Sequence, residues 1–363
     1  MQNGDTFIWR IVCLAVLGLI LIGTPAATRA QGPAKWPIYF PLAQRAFVGE
    51  FIHPATAVPR PTATRTPPWT TTPTSTATPK DSPTPRASST PTPVPPPTVT
   101  PTPEGPQWLN YVNYYRGLAK LPAVTENTIW GRGDQLHSKY MAKNDVIGHS
   151  EDSRKPFYTA EGNEAAREGN VAIDSQPDRP VTSPIDLWMT GPFHMLAIIN
   201  PLLTVSAFGD ATDSAGGVQY AATLDVHRGV VAEVPDGIKF PVRYPESNAI
   251  LPNLSFEGYE SPDPLVACTG YKAPTGAPLA IQFGPGDAKP SISKTSIRDE
   301  IGTELAHCWF DESKYPSGVG QLVLQSQSAV ILMARNPYKP GKRYTVTVVN
   351  KNQTISWTFR TRE

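Results

Sequence analysis

The stretch S-P-I-D-L-W-M-T-G-P-F-H, residues 183–194, decides the fold of the first half of this chain. Ser183, Pro184 and Asp186 follow the order of an N-cap serine, a first-turn proline and an acid at the third helical position. Leu-Trp-Met then supplies an apolar body, and a Gly-Pro pair ends the helix. The stretch therefore predicts a short helix with a buried face that leads directly to His194.

Elements on either side of this helix predict a mixed domain over residues 107–233. Apolar residues recur at helical spacing over 108–118, and Thr125 is placed as the N-cap of a second helix. Apolar segments at 205–208 and 218–224 predict strands. Because the helices precede the strands, we expect a layered α/β/α or an α+β arrangement.

Residues 234–363 follow a different pattern, in which short apolar runs alternate with Pro and Gly turns. Strands are predicted for the runs at 242–244, 279–283, 322–324, 329–332, 344–348 and 355–359. The last two runs alternate apolar and polar residues around a short turn, which is typical of a half-buried strand pair. The pattern predicts an all-β sandwich.

Proline accounts for 41 of the 363 residues, and much of this excess lies in one tract. Residues 54–106 hold 17 prolines and 16 threonines and contain no Leu, Ile, Phe or Tyr. Such a segment buries too little apolar surface to offset the entropy of ordering, so we expect a disordered Thr/Pro-rich linker. It is either an unmodified flexible linker or a stalk that accepts O-linked sugars.

The N-terminus predicts export. Arg10 precedes an apolar run over 11–23, which is shorter than the roughly 20 residues of a membrane span and has the length of a signal-peptide core. Residues 1–30 are therefore either a signal peptide or an uncleaved N-terminal anchor, and a short apolar segment at 31–53 follows. Both alternatives place the rest of the chain outside the cell or at its surface.

Cys268 and Cys308 are the two cysteines that remain after export. Two thiols in an oxidising compartment usually pair, so a disulfide is predicted, with two free buried thiols as the alternative. Closing a loop of roughly 40 residues stabilises a fold by about 3–4 kcal/mol in the chain-entropy model.

The charge balance argues against a nucleic-acid partner. Lys and Arg number 32 and Asp and Glu number 31, a formal net charge of +1, and no dense Lys/Arg run is present. Nucleic-acid binding usually needs a basic patch that neutralises phosphates. We therefore expect no nucleic-acid partner.

Six motifs spread over about 107–230 carry a resemblance to a known family. They lie at 112–124, 137–144, 147–150, 169–172, 188–194 and 200–201. In their order and spacing they resemble the CAP family, which covers the cysteine-rich secretory proteins, antigen 5 and plant pathogenesis-related proteins. The resemblance implies an α-β-α sandwich with a central cleft.

The resemblance also implies which residues line that cleft. His149 and His194 match the two family histidines, which can hold a divalent metal such as zinc. Imidazole suits zinc and similar ions, and three protein ligands leave an open position for a water or a substrate.

The chain departs from the family pattern at the acids. Gly169 and Gly191 stand where the family places its two acidic residues. Glu168 and Glu161 are nearby in sequence and are the candidates to replace them in the cleft.

Three classes of function are compatible with these features. No H-E-x-x-H, G-x-S-x-G or cysteine nucleophile occurs in 107–233, so a non-catalytic binding module is preferred. The resemblance implies a small lipid, sterol or glycan as its ligand.

One alternative is a metal-dependent hydrolase that uses His149, His194 and an acid. The other is a structural or adhesive cell-envelope protein, associated with the wall or membrane surface, which the Thr/Pro spacer supports. Through its ending at 340–346 and 357–361, the segment 234–363 resembles bacterial immunoglobulin-like modules, which are usually spacers or adhesive surfaces.

Overall fold

The computed structural model describes residues 105–286 and 288–363, which belong to one compact unit. The predicted export segment, the apolar segment at 31–53 and all but the last two residues of the predicted linker lie outside the described residues. Within the part of the chain that the structure describes, no helix is both long and apolar enough to cross a membrane.

The first half combines helices with one four-stranded sheet. The helices are α1 (Gln107–Leu118), α2 (Thr128–Asn144), α3 (Ala160–Glu168), α4 (Thr182–Thr190) and α5 (Pro192–Ile198). The strands are β1 (Thr125–Glu126), β2 (Gly169–Asp174), β3 (Val205–Thr212) and β4 (Tyr220–Asp225). Their spatial order is β1-β3-β4-β2, in which β1 pairs with β3 in parallel and the other neighbours are antiparallel.

Helices cover both faces of this sheet. Successive residues of a strand point to opposite faces. Val171 of β2 and Ala221 of β4 accordingly pack in one buried cluster with Met141 of α2. Ala172 of β2 belongs to a second cluster that includes Trp188 of α4. The predicted mixture of helices and strands in this half is confirmed.

The predicted start of the second helix is wrong. Thr125 lies in β1, and Asn127 is the N-cap of α2. The side-chain oxygen of Asn127 accepts hydrogen bonds from the backbone N–H groups of Ile129 and Trp130 at 3.0 and 3.2 Å. Because these N–H groups have no partner inside the helix, the asparagine determines where α2 begins.

The helix α4 also begins earlier than predicted, at Thr182, so Ser183 lies inside the helix and no side chain caps it. Asp186 has a different role from the predicted one. Its carboxylate accepts a hydrogen bond from the hydroxyl of Tyr111 at 2.6 Å and another from Tyr115. Asp186 therefore links α4 to α1 instead of satisfying the start of its own helix.

Residues 234–363 form several sheets. One four-stranded sheet contains, in spatial order, β10 (Ile292–Asp299), β13 (Arg343–Asn350), β14 (Gln353–Thr361) and β6 (Ile250–Leu251). A second contains β11 (His307–Phe310), β12 (Ala329–Ala334), β9 (Leu279–Gln282) and β5 (Val242–Tyr244). The strands β7 (Ser255–Phe256) and β8 (Thr275–Gly276) pair with each other, and a short 3-10 helix spans Pro264–Ala267.

The all-β prediction for this half is corrected by one helix. Residues 322–324 lie in α6 (Val319–Ser326) and not in a strand. Leu324 is buried whereas Leu322 is 42% exposed, and a three-residue apolar run does not distinguish a helix from a strand by periodicity. The other five predicted strands coincide with β5, β9, β12, β13 and β14.

One buried apolar cluster extends through both halves. Phe193 of α5 contacts Tyr315 and Phe310, with ring centroids 5.1 and 6.5 Å apart. The side-chain amide of Gln282 in β9 donates to the carbonyl oxygen of Ile199 at 3.0 Å. The predicted domain boundary stays a prediction, but the C-terminal sheets pack directly against the helices of the first half.

Cys268 and Cys308 form a disulfide, with Cα atoms 5.6 Å apart. The predicted pairing is therefore confirmed. The bond connects the residue after the 3-10 helix to β11.

Candidate functional site

His149 lies in the loop after α2 and is partly buried. Its Nδ1 donates to the carbonyl oxygen of Ala166 at 3.1 Å, in the last turn of α3, where helix carbonyls lack helical partners. Burial, followed by the nearby imidazole of His194, lowers the pKa of His149 to about 4. His149 is therefore neutral near pH 7, with its proton on Nδ1 and a lone pair on Nε2.

His194 is the third residue of α5 and its side chain is 17% exposed. Its Nδ1 lies 2.9 Å from Oε1 of Glu260. Its backbone carbonyl accepts a hydrogen bond from the side-chain amide of Asn170 at 3.1 Å. These contacts hold both the ring and the backbone of His194.

Glu260 comes from the C-terminal half, between β7 and the 3-10 helix. Its Oε1 also accepts the backbone N–H groups of Phe193 and His194, at 3.1 and 3.2 Å. Its Oε2 fills the space beside Gly191, where an added Cβ would lie 1.6 Å from that oxygen. The C-terminal half thus inserts a carboxylate into the site.

A third histidine, His227, follows β4 and lies close enough to His149 to contribute to the lowering of that residue's pKa. Its ring is hydrogen-bonded to the backbone of Arg167, and burial lowers the pKa of His227 to about 4. Its Nδ1 lies 4.0 Å from Oε2 of Glu168. His149, His194 and His227 together are called the histidine site below.

Comparison with known proteins identifies this part of the chain. Residues 109–226 match the model of CAP, described as the Cysteine-rich secretory protein family. Residues 109–226 are therefore similar to the CAP family. The matched residues include His149 and His194, and His227 directly follows them. The predicted family resemblance is confirmed.

Comparison with curated proteins and with solved structures gives at most a distant likeness. No curated protein matches the chain. Among solved structures, the chain is similar to an extracellular protein containing an SCP domain from Bacillus anthracis str. Ames, with 16% identity and a TM-score of 0.27. The match covers 34% of this chain and 39% of that protein.

The two predicted acids occupy different places in the CAP domain. Glu168, at the end of α3, borders His227, and burial followed by the charge of Asp225 raises the pKa of its carboxyl. Glu161, in the first turn of α3, faces α2 instead, with Oε2 3.6 Å from Nε of Arg132. Of the two, Glu168 is the one that the structure brings to the histidine site.

Gly169 and Gly191, which stand where the resemblance predicts acids, have different surroundings. At Gly169 an added Cβ would lie 2.9 Å from Cγ2 of Thr223 and 3.0 Å from the carbonyl oxygen of Leu224, so the sheet itself closes that position. At Gly191 the space is taken by Glu260. Sequence reasoning missed Glu260 because it lies 66 residues from His194 in another part of the chain.

The described residues do not provide a complete metal-binding set. They contain no group of three or more His, Cys, Asp or Glu side chains placed to hold a metal ion. His194 and His149 have their Nδ1 atoms engaged by Glu260 and Ala166, so each offers Nε2 alone. Metal binding by this pair stays a prediction.

Arg228 follows the histidine site and is shared by two buried carboxylates. Its guanidinium pairs with Asp225, and its Nη2 lies 3.6 Å from Oδ1 of Asp134. Burial, followed by the charge of Asp225, raises the pKa of Asp134 to about 8. Since one guanidinium balances one negative charge, we expect Asp134 to keep its proton near pH 7.

Proposed function

We propose that this chain is an exported CAP-domain protein that binds a small ligand at the histidine site and catalyses no reaction. The observation that carries the proposal is the partly buried, neutral imidazole of His149 beside His194, with its Nδ1 donating to the carbonyl oxygen of Ala166. A neutral imidazole with its proton on Nδ1 accepts a hydrogen bond at Nε2. Such a site suits an uncharged hydroxyl group.

The hydroxyl is the chemistry that the proposed ligand classes share. Sterols, lipids with hydroxylated headgroups and glycans all present it next to a larger apolar or ring surface. An anion is disfavoured, because Glu260 and Glu168 border two of the three histidines. We therefore propose a small neutral hydroxyl-bearing ligand.

The binding experiment compares His149→Ala and His194→Ala with His307→Ala, using the full chain. His307 lies in β11, where its Nε2 is 2.9 Å from Oγ1 of Thr295, and serves as the matched control. The probes are a tritiated sterol, vesicles of a neutral glycolipid and a soluble oligosaccharide. We expect one probe to bind and the two site variants to weaken it at least tenfold, while the control leaves it unchanged. Equal binding by all four proteins contradicts the proposal, as does binding of no probe.

A divalent metal such as zinc belongs to this proposal as a weakly held ligand. Structural zinc sites have four protein ligands and catalytic sites have three, whereas His149 and His194 supply two imidazole nitrogens. Metal analysis of the purified chain, before and after dialysis, tests this. We expect retained zinc well below one equivalent, and none in the His149→Ala, His194→Ala double variant.

The proposal also includes export of the chain and its display at the cell surface. The disulfide is compatible with an oxidising compartment, and residues 1–30 have the pattern of a signal peptide or anchor. The two four-stranded sheets of 234–363 support an immunoglobulin-like module at the end of a Thr/Pro stalk. Cell fractionation with N-terminal sequencing tests this. Retention of the intact chain in the cytoplasm contradicts it.

A further inference from the structure

The carboxylate of Glu260 belongs to the C-terminal half but is held by the first half. Its Oε1 accepts three hydrogen bonds, from the backbone N–H groups of Phe193 and His194 and from Nδ1 of His194, at 3.1, 3.2 and 2.9 Å. The exposed fraction of the Glu260 side chain is 0%. A buried carboxylate is costly unless it is paired, so these three donors fix its position.

The glycine at position 191 is required by space rather than by backbone conformation. Gly191 has φ −95° and ψ 124°, a backbone that any residue adopts. An added Cβ would nevertheless lie 1.6 Å from Oε2 of Glu260, an oxygen that has no hydrogen-bond partner among residues 105–286 and 288–363. The missing side chain therefore admits the carboxylate to His194.

The imidazoles of His149 and His194 are held in the same way, each through its Nδ1. His149 donates from Nδ1 to the carbonyl oxygen of Ala166. The two backbone N–H groups that point at Oε1 of Glu260 require that oxygen to be an acceptor, so it also accepts from Nδ1 of His194. In the neutral ring this leaves the lone pair on Nε2.

We propose that Glu260 is the positioning residue of the histidine site, supplied by the C-terminal half through the space at Gly191, and that it fixes the Nδ1–H tautomer of His194. The two histidines then present matching Nε2 acceptors to a hydroxyl-bearing ligand. The consequence for the ligand rests on the proposed function, whereas the tautomer does not. The C-terminal half is thus a component of the site and more than a spacer.

The experiment measures the tautomer directly, without any ligand. The full chain is labelled with 15N-histidine, and long-range 1H–15N spectra near pH 7.5 report which ring nitrogen carries the proton. The His194 signals are assigned by their loss in His194→Ala. We expect the Nδ1–H form in the unaltered protein. A predominant Nε2–H form there overturns the proposal whatever the variants show.

Three variants separate positioning from a purely structural contact. Glu260→Ala removes the acceptor, and Gly191→Ala displaces the carboxylate while Glu260 remains in the chain. In both, we expect His194 to move mainly to the Nε2–H form, which an unconstrained imidazole prefers. Glu260→Gln retains an acceptor oxygen for the three donors, so we expect the Nδ1–H form to persist. Circular dichroism checks that each variant is folded.

The tautomer and binding measurements distinguish a failure of the positioning role of Glu260 from a failure of the proposed ligand binding. An unchanged tautomer in folded Glu260→Ala overturns the positioning role, even if a ligand binds. Conversely, the expected tautomer series supports the positioning role even if none of the three ligand probes binds. If a probe does bind, we expect Glu260→Ala and Gly191→Ala to weaken it about tenfold and Glu260→Gln to weaken it less.

Discussion

The carboxyl group of Asp134 is completely buried in α2, and neither of its oxygens has a hydrogen-bond partner in the described part of the chain. Its nearest cation, Arg228, is already paired with Asp225. The pKa of Asp134 is raised from 3.8 to about 8, mainly by burial. Between these pH values the folded protein holds a proton that the unfolded chain releases. The free energy of unfolding therefore falls as the pH rises through this window.

Asp134→Asn removes that titration and keeps the shape of the protonated side chain. We expect its free energy of unfolding to vary less with pH between 5 and 8 than that of the parent, by up to about 1.4 kcal/mol per pH unit. At pH 8 the variant is expected to be the more stable protein. Urea unfolding at several pH values measures this, with the exposed Asp178→Asn as control. Identical pH profiles for Asp134→Asn and the parent would contradict the assignment.

His149 and His227 have the opposite dependence. Their pKa values are lowered from 6.5 to about 4, so on acidification the unfolded chain takes up protons that the folded protein does not. Stability is therefore lost as the pH falls from about 6.5 to 4. We expect His149→Gln to reduce this acid slope by at most about 1.4 kcal/mol per pH unit, measured by urea unfolding. His307→Gln serves as control, and an equal reduction in both variants would refute the explanation.

At the scale of single elements, the contact between α2 and β3 depends on a missing side chain. An added Cβ at Gly209 of β3 would lie 2.1 Å from the backbone nitrogen of Gln135 in α2. The carbonyl oxygen of Gly209 also accepts a hydrogen bond from Ser138 at 2.8 Å. Backbone atoms cannot move aside as a flexible side chain does, so the glycine sets the distance between helix and sheet.

Gly209→Ala is expected to destabilise the fold by about 2–3 kcal/mol, the usual scale for overpacking a buried contact. The matched control is Gly117→Ala in α1, where an added Cβ meets nothing within 4 Å. Because alanine favours a helix over glycine, the control is expected to gain about 0.5–1 kcal/mol. Thermal and urea unfolding measure both, and a neutral Gly209→Ala would show that α2 is free to shift.

The elements themselves were predictable to different degrees. Alternation within 344–348 and 355–359 predicted β13 and β14 because the period of two is visible over several residues. The run at 322–324 was too short to reveal the helical period of α6, and its neighbours on the chain suggested strands. The predicted start of α2 is wrong because Thr125 and Asn127, which are separated by one residue, are both of a type that commonly caps a helix.

At the scale of the whole molecule, the disulfide and the shared core hold distant segments together. Cys268 and Cys308 are separated by 40 residues and join the end of the 3-10 helix to β11. In the first half, Arg116 of α1 donates from Nη1 to the carbonyl oxygens of Ile198 and Asn200 at 2.8 and 3.0 Å. Long-range connections of this kind make the described residues one compact unit.

Replacing both cysteines by alanine is expected to lower the free energy of unfolding by about 3–4 kcal/mol, because the unfolded chain regains the freedom of the closed loop. Urea unfolding of the oxidised parent and the double variant measures the difference. A reductant is expected to bring the parent close to the double variant and to leave that variant unchanged. Sensitivity of the double variant to reductant would argue that another thiol is involved.

The sequence by itself determined the local features of this protein: the motifs that resemble the CAP family, the two histidines that they include, the pairing of Cys268 with Cys308 and most of the strands. Most of these features depend on residue type and spacing over short distances. The disulfide depends on Cys268 and Cys308 being the only two cysteines in the sequence after residue 30. Tertiary structure decided the composition of the histidine site. It added His227, set Glu161 apart and brought Glu260 to His194 through the space at Gly191. A contact across 66 residues leaves no periodic or compositional trace, because it exists only when two halves pack against each other.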